Sequence, residues 1–140
     1  MPERLTILKR VVLFQHLTDQ DLQEVAERIN RRSYKLGDYL FRAGDERSEL
    51  MIIQSGEVEI CRGVGEVERP IARLGEGNFI GEGAMLGNEI HETSCRAIVD
   101  THVLSLERRA IDEIFGRSPD ATRKMLSQVA RVMAYRLSYA

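Results

Sequence analysis

Residues 75–97 read GEGNFIGEGAMLGNEIHETSCRA, and the rest of the chain is organised around them. At the centre, Phe79-Ile80-Gly81-Glu82-Gly83-Ala84-Met85-Leu86 sets one acid between two glycines and follows it with an apolar run long enough for one helical turn. Glycine lets a backbone turn tightly and come close to a ligand. The N–H groups freed at such a turn can receive an anion such as a phosphate. Ionised, Glu82 is purely an acceptor, suited to a pair of hydroxyl donors such as a ribose edge. The plainer alternative is that Glu82 is an exposed turn carboxylate capping the short helix.

Working outward, Arg31 to Leu106 is a series of short runs rich in β-branched and apolar residues. They are Tyr39-Leu40-Phe41, Met51-Ile52-Ile53, Val58-Glu59-Ile60, Ile71 to Leu74, Phe79-Ile80, Ala97-Ile98-Val99 and Val103 to Leu106. Ten of the eleven glycines fall between Gly37 and Gly87 and punctuate these runs. Strands so spaced, with glycine turns at 44, 56, 63/65 and 75/77, predict an antiparallel sandwich or barrel. A jelly roll, or double-stranded β-helix, fits best, because it limits exposed edges and tolerates short strands.

Three stretches, in order, resemble the cyclic nucleotide-binding domain family, which includes the bacterial catabolite activator and the regulatory subunits of cyclic AMP-dependent kinase. Lys35 to Asp45 looks like its G-[ED]-x-[IL]-x-x-x-G-[DE] hairpin, and Met51 to Val58 like its [FYM]-x-I-x-x-G-x-[AV] strand-turn-strand. Residues 79–97 resemble its phosphate-binding cassette, F-G-E-x-A-L, a spacer, then R-x-A-[ST]. Gly81-Glu82, Ala84 and a hydrophobic Met85 match that pattern, with Gly83 between them. The arginine does not. Nine residues beyond Glu82, where kinase-type members carry the phosphate-pairing arginine, stands His91, and Ser94 falls on the hydroxyl position. Catabolite-activator spacing, one residue longer, puts Glu92 there, which repels a phosphate. The resemblance implies a ligand such as cyclic AMP, cyclic GMP or a related small anion, contacted by Gly81 to Met85, His91, Glu92 and Ser94. An arginine pairs with phosphate bidentately and permanently. His91 is a weaker substitute, effective as the imidazolium, so binding is expected to weaken as pH rises.

Helices flank the β zone. In residues 1–30, Pro2 can open a helix with Leu5, Leu8 and Val12 on one face. Thr18 followed by Asp21 reads as a capping box, and Leu22, Val25, Ala26 and Ile29 recur at helical spacing. Leu13-Phe14, Leu17-Thr18 and Leu22 also resemble the opening LF-x-x-L-[ST]-x-x-x-L of family members. In residues 107–140, a short helix from Arg108 to Phe115 stops at Gly116, and Ser118-Pro119 starts a long one. Its apolar residues, Leu126 and Ala130 included, cover more than one stripe. One stripe can cover the roll; the surplus suggests a homodimer through this helix or a wholly internal face. In the family this region closes over the ligand and passes the signal on.

The 140 residues suit one domain, with the chain ending at the long helix and leaving no room for a DNA-reading domain. A net charge of −2 lacks the basic footprint of nucleic acid binding, and no apolar run approaches membrane-spanning length. Cys61 and Cys95, two cysteines far apart, are expected as unpaired thiols in a reducing cytoplasm. His16, His91 and His102 are scattered without metal-ligand spacing, so no metal is expected. No nucleophile–base pair stands out, and the chain reads as a non-enzymatic sensor, or else as an interaction module with a degenerate pocket.

Overall fold

The structure is a computed structural model and describes residues 8–46, 48–64, 67–81 and 90–138, with 64, 67 and 135–138 followed through the backbone alone. The chain groups into a helical unit, from residues up to Ile29 and from Arg109 onward, and a β unit, Asn30–Arg108.

In the helical unit a 3-10 turn, Val12–Phe14, precedes helix α1, Asp19–Arg28. The capping box is present: Thr18 Oγ1 accepts from Asp21 N at 3.1 Å and Asp21 returns a bond to Thr18 N at 3.4 Å. Each satisfies an amide that the first helical turn leaves without a partner. Leu22, Val25 and Ala26 form the buried stripe. Helix α2, Arg108–Phe115, buries Ala110, Ile111, Ile114 and Phe115, and Glu113 on its other side pairs with Arg28 at 2.6 Å. Helix α3, Pro119–Ser138, starts as its sequence suggests, with Ser118 Oγ accepting from Ala121 N at 3.2 Å. Ala121, Met125 and Val129 are buried. So is Gln128, whose amide donates at 2.7 Å to Val12 O, the carbonyl that also accepts from Gln15 N at the end of the 3-10 turn. Leu126 and Ala130 are exposed. The expected helical start at Pro2 and Leu5 lies outside the described residues.

The β unit is a jelly roll of two antiparallel four-stranded sheets, ordered β1-β8-β3-β6 and β2-β7-β4-β5. Its strands are β1 Asn30–Tyr34, β2 Tyr39–Phe41, β3 Glu49–Ser55, β4 Glu57–Val64, β5 Val67–Gly75, β6 Phe79–Ile80, β7 Ser94–Ala97 and β8 Thr101–Glu107. Between the sheets lie Met51, Ile53, Ile80 and Val103 from the first, and Phe41, Val58 and Cys95 from the second. Period-two alternation puts Glu59 on the opposite side of β4 from Val58. There it is covered by Arg96 at 3.0 Å and Arg73 at 3.5 Å, which pair the buried carboxylate from both neighbouring strands. Pro70 fits β5 because that strand is an edge and its register shifts beside Pro70, where no ladder donor is required. Cys61 and Cys95 are buried free thiols, and burial pushes Cys95 up to about 12.

Two strand boundaries differ from the sequence expectation. Strand β1, with sequence NRRSY, is mostly exposed and carries no apolar alternation, so no pattern announced it. The run Ala97-Ile98-Val99 does not continue as a strand; β7 ends at Ala97 and Ile98-Val99 bend. Thr101 holds the bend by donating from its hydroxyl to Val99 O at 2.9 Å while accepting from Glu57 N at 3.2 Å.

Candidate ligand site

Strand β6 carries the chain into the cassette. Gly77, at φ +87°, makes the turn before it, donating to Ile53 O at 2.8 Å, and Asn78 O accepts from Ile53 N at 2.9 Å. Gly81 follows at φ +78° and is buried, its α-carbon so close to the Glu49 carbonyl that a side chain there would collide with it. Both features demand glycine. Glu82, Gly83, Ala84 and Met85, expected to form the floor of the site, lie outside the described residues.

The return leg is held by the Gly44 hairpin. Asp45 closes that hairpin by accepting from Arg42 N at 2.8 Å, with Gly44 at φ +95°. His91 N then donates to Asp45 O at 2.9 Å, and Gly44 N donates to His91 O at 2.8 Å. Ser94 Oγ, itself buried, accepts from Ala43 N at 3.0 Å. The first landmark of the sequence therefore physically clamps the third. The His91 ring is 5% exposed and lies flat on Phe41, centroids 3.6 Å apart and planes at 10°. Glu92 is exposed. Of the expected contacts, the structure thus brings His91 and Ser94 onto one clamped segment and leaves Glu92 in solvent.

A polar group that the sequence did not flag sits beside Gly81. Glu49 on β3 is nearly buried, pairs with Arg32 at 3.0 Å, and accepts a hydrogen bond from the buried hydroxyl of Ser105. Register puts all three on one face: Glu49 and Met51, two apart, share a face of β3, Met51 pairs with Ser105, and Arg32 pairs with Val103, which shares the face of Ser105 on β8. Burial pushes the Glu49 carboxyl above its ordinary range, Arg32 opposes that and Glu107 adds to it. A carboxyl raised in the folded state holds its proton there at pH values where the unfolded chain has lost it. Stability therefore falls as pH climbs from the unfolded value through the folded one. Glu49→Gln keeps an acceptor for Ser105 without the charge. Denaturation midpoints of the native chain are expected to fall from acid towards neutral pH along a slope that Glu49→Gln flattens. Parallel pH profiles for the two proteins would remove the burial argument.

Comparison with known proteins shows the family and the fold. The family model for the cyclic nucleotide-binding domain matches residues 31–118. The chain is 30% identical over 125 residues to the cyclic AMP receptor protein of Thermus thermophilus, covering 89% of this chain and 58% of that protein. It is 30% identical over 131 residues to a cGMP-dependent protein kinase of Caenorhabditis briggsae, covering 91% of this chain and 17% of the kinase. In fold it is similar to a cyclic nucleotide-binding domain from Methylobacillus flagellatus, with a TM-score of 0.81 at 23% identity over 99% of this chain and 78% of that one. The chain thus spans only part of the curated relatives it matches.

Proposed function

We propose, since the chain belongs to the cyclic nucleotide-binding domain family, that it is a sensor module: it takes a cyclic nucleotide weakly in the 79–97 cassette and relays binding through its C-terminal helices. The observation that carries this reading is the pair of fixed ends around residues 82–89. Gly81 enters at a backbone angle reserved for glycine, and His91 to Ser94 are pinned by the Gly44 hairpin. These two anchors fix where the cassette leaves the roll and where it rejoins it, and Glu82 is the acceptor it would offer to a ribose.

The weakness follows from His91 standing where kinase-type members place arginine. Losing one partner of a buried charge pair costs about 2–5 kcal/mol, or roughly 30- to several-thousand-fold in affinity. A bound phosphate would favour the imidazolium of His91, while Glu92 next to it works against the anion. Exposed Leu126 and Ala130 on α3 support a relay surface there, homodimeric or towards another chain. The two buried thiols are at ease in a reducing cytoplasm. No catalytic step belongs to this reading. The flat seat of His91 on Phe41 favours a second one, in which the histidine has become part of the core and the chain is an interaction module with a degenerate pocket.

Calorimetric titration with cyclic AMP and cyclic GMP, at about pH 6 and about pH 8, separates the two. The sensor gives saturable heat, stronger at the lower pH and abolished by Glu82→Ala. Absence of heat at millimolar nucleotide under both conditions leaves the interaction module.

A further inference from the structure

We infer that the chain carries a second site, for the phosphate group of a small molecule, in the polar cleft formed on β1, β3 and β8 by Arg31, Arg32, Ser33, Gln54, Ser55 and His102. This site is independent of the cassette, which occupies the β6–β7 connection.

The cleft is made by an irregularity in β3. Along that strand Met51 and Ile53 face the roll interior, so regular alternation would send Ser55 inward too. The register shifts between Ile53 and Ser55, however, so that Ile53 faces Val103 while Ser55 faces His102. A bulge of this kind re-aims the side chains that follow it. It places Ser55 on the same sheet face as His102, whose partner on the other flank, in β1, is Ser33. Arg31, two residues before Ser33, shares that face.

The polar groups that result have one character. Ser33 Oγ and His102 Nδ1 lie 2.8 Å apart. With Ser33 donating, Nε2 of His102 keeps its proton as a donor. Gln54 and the two serine hydroxyls add further donors. The guanidinium of Arg32 is committed to Glu49 at 3.0 Å, whereas Arg31 makes no ion pair among the described residues. Among the described residues no carboxylate lines the cleft. On a chain of net charge −2, a cleft with an unpaired guanidinium, an imidazole, hydroxyls and no acid is selective for an oxyanion. Its volume of about 340 Å³ is at the small end of ligand pockets but well above that of a bare ion, which points to a phosphorylated small molecule. Among the described residues no carboxylate orients the His102 imidazole, so the Ser33–His102 pair is read as a binding pair.

The test is amide and imidazole NMR on the full chain, titrated with inorganic phosphate and with glycerol 3-phosphate. Expected are saturable shifts centred on Ser33, Ser55 and His102, with affinity about tenfold or more weaker in Arg31→Gln and weakened in Ser55→Ala. Arg31 is exposed, so its replacement leaves the fold intact. Glu82→Ala should leave these shifts unchanged. No saturable shift at tens of millimolar, shifts that persist undiminished in Arg31→Gln, or shifts lost in Glu82→Ala would each overturn the assignment.

Discussion

Gly81→Ala is expected to destabilise the protein by roughly 2–5 kcal/mol and to weaken any ligand held by the cassette. Two costs add. At φ +78° a side chain meets its own backbone, a penalty of about 1–2 kcal/mol. The new methyl would also collide with the carbonyl oxygen of Glu49, and overpacking against a fixed group costs about 1–3 kcal/mol. The group is fixed because Glu49 belongs to β3, between β8 and β6, so it cannot retreat without disturbing the ladder. Gly77→Ala is the control. It sits at φ +87° with open space where the methyl would go, so it should show the backbone cost alone, about 1–2 kcal/mol. Urea unfolding of the two variants with unchanged m-values reads the difference directly. Equal midpoints would mean that the Glu49 carbonyl yields, and the tight entry to the cassette would lose its physical basis.

That entry was half visible in the sequence. Gly81 beside Glu82 announced a turn, because few residues other than glycine accept its backbone angle, and Gly44 and Gly56 announced theirs for the same reason. The antiparallel roll followed from short β-branched runs between them, and α1 and α3 from their caps, since each of these signals acts over a few residues. What was not legible acts across strands. Strand β1 has no apolar alternation, being an exposed edge, and only its pairing with Ser105 to Thr101 makes it a strand. Glu49 looks like any surface acid until β8 brings Ser105 beside it and β1 brings Arg32. Gln128 looks polar and solvent-bound, yet it is buried with its amide donating to a carbonyl of the distant Val12. The polar cleft depends on a one-residue register shift, which leaves no mark on composition at all. His91 was singled out for its position in the cassette pattern, but its stack on Phe41 joins positions fifty residues apart and could not be read from either neighbourhood.

That stack sets the other large effect. Phe41→Ala is expected to cost about 3–5 kcal/mol, the usual range for removing a buried phenyl group. Phe41 is 8% exposed and joins the cluster of Val58, Cys95, Met51, Ile53, Ile80 and Val103 from both sheets, so its loss leaves a cavity at the centre of the roll. Phe41→Leu separates the two things the ring does. Leucine retains most of the apolar volume, so the packing cost stays below about 1.5 kcal/mol, and loss of the ring pair adds roughly 0.5–1.5 kcal/mol. The leucine variant remains folded but gives His91 no flat platform. If the stack positions the imidazole for an anion, cyclic nucleotide affinity falls in Phe41→Leu while His91 ring resonances broaden or shift. If stability falls as expected and the calorimetric affinity does not move, His91 serves the core alone, and any phosphate held in the cassette rests on Glu82 and the loop amides.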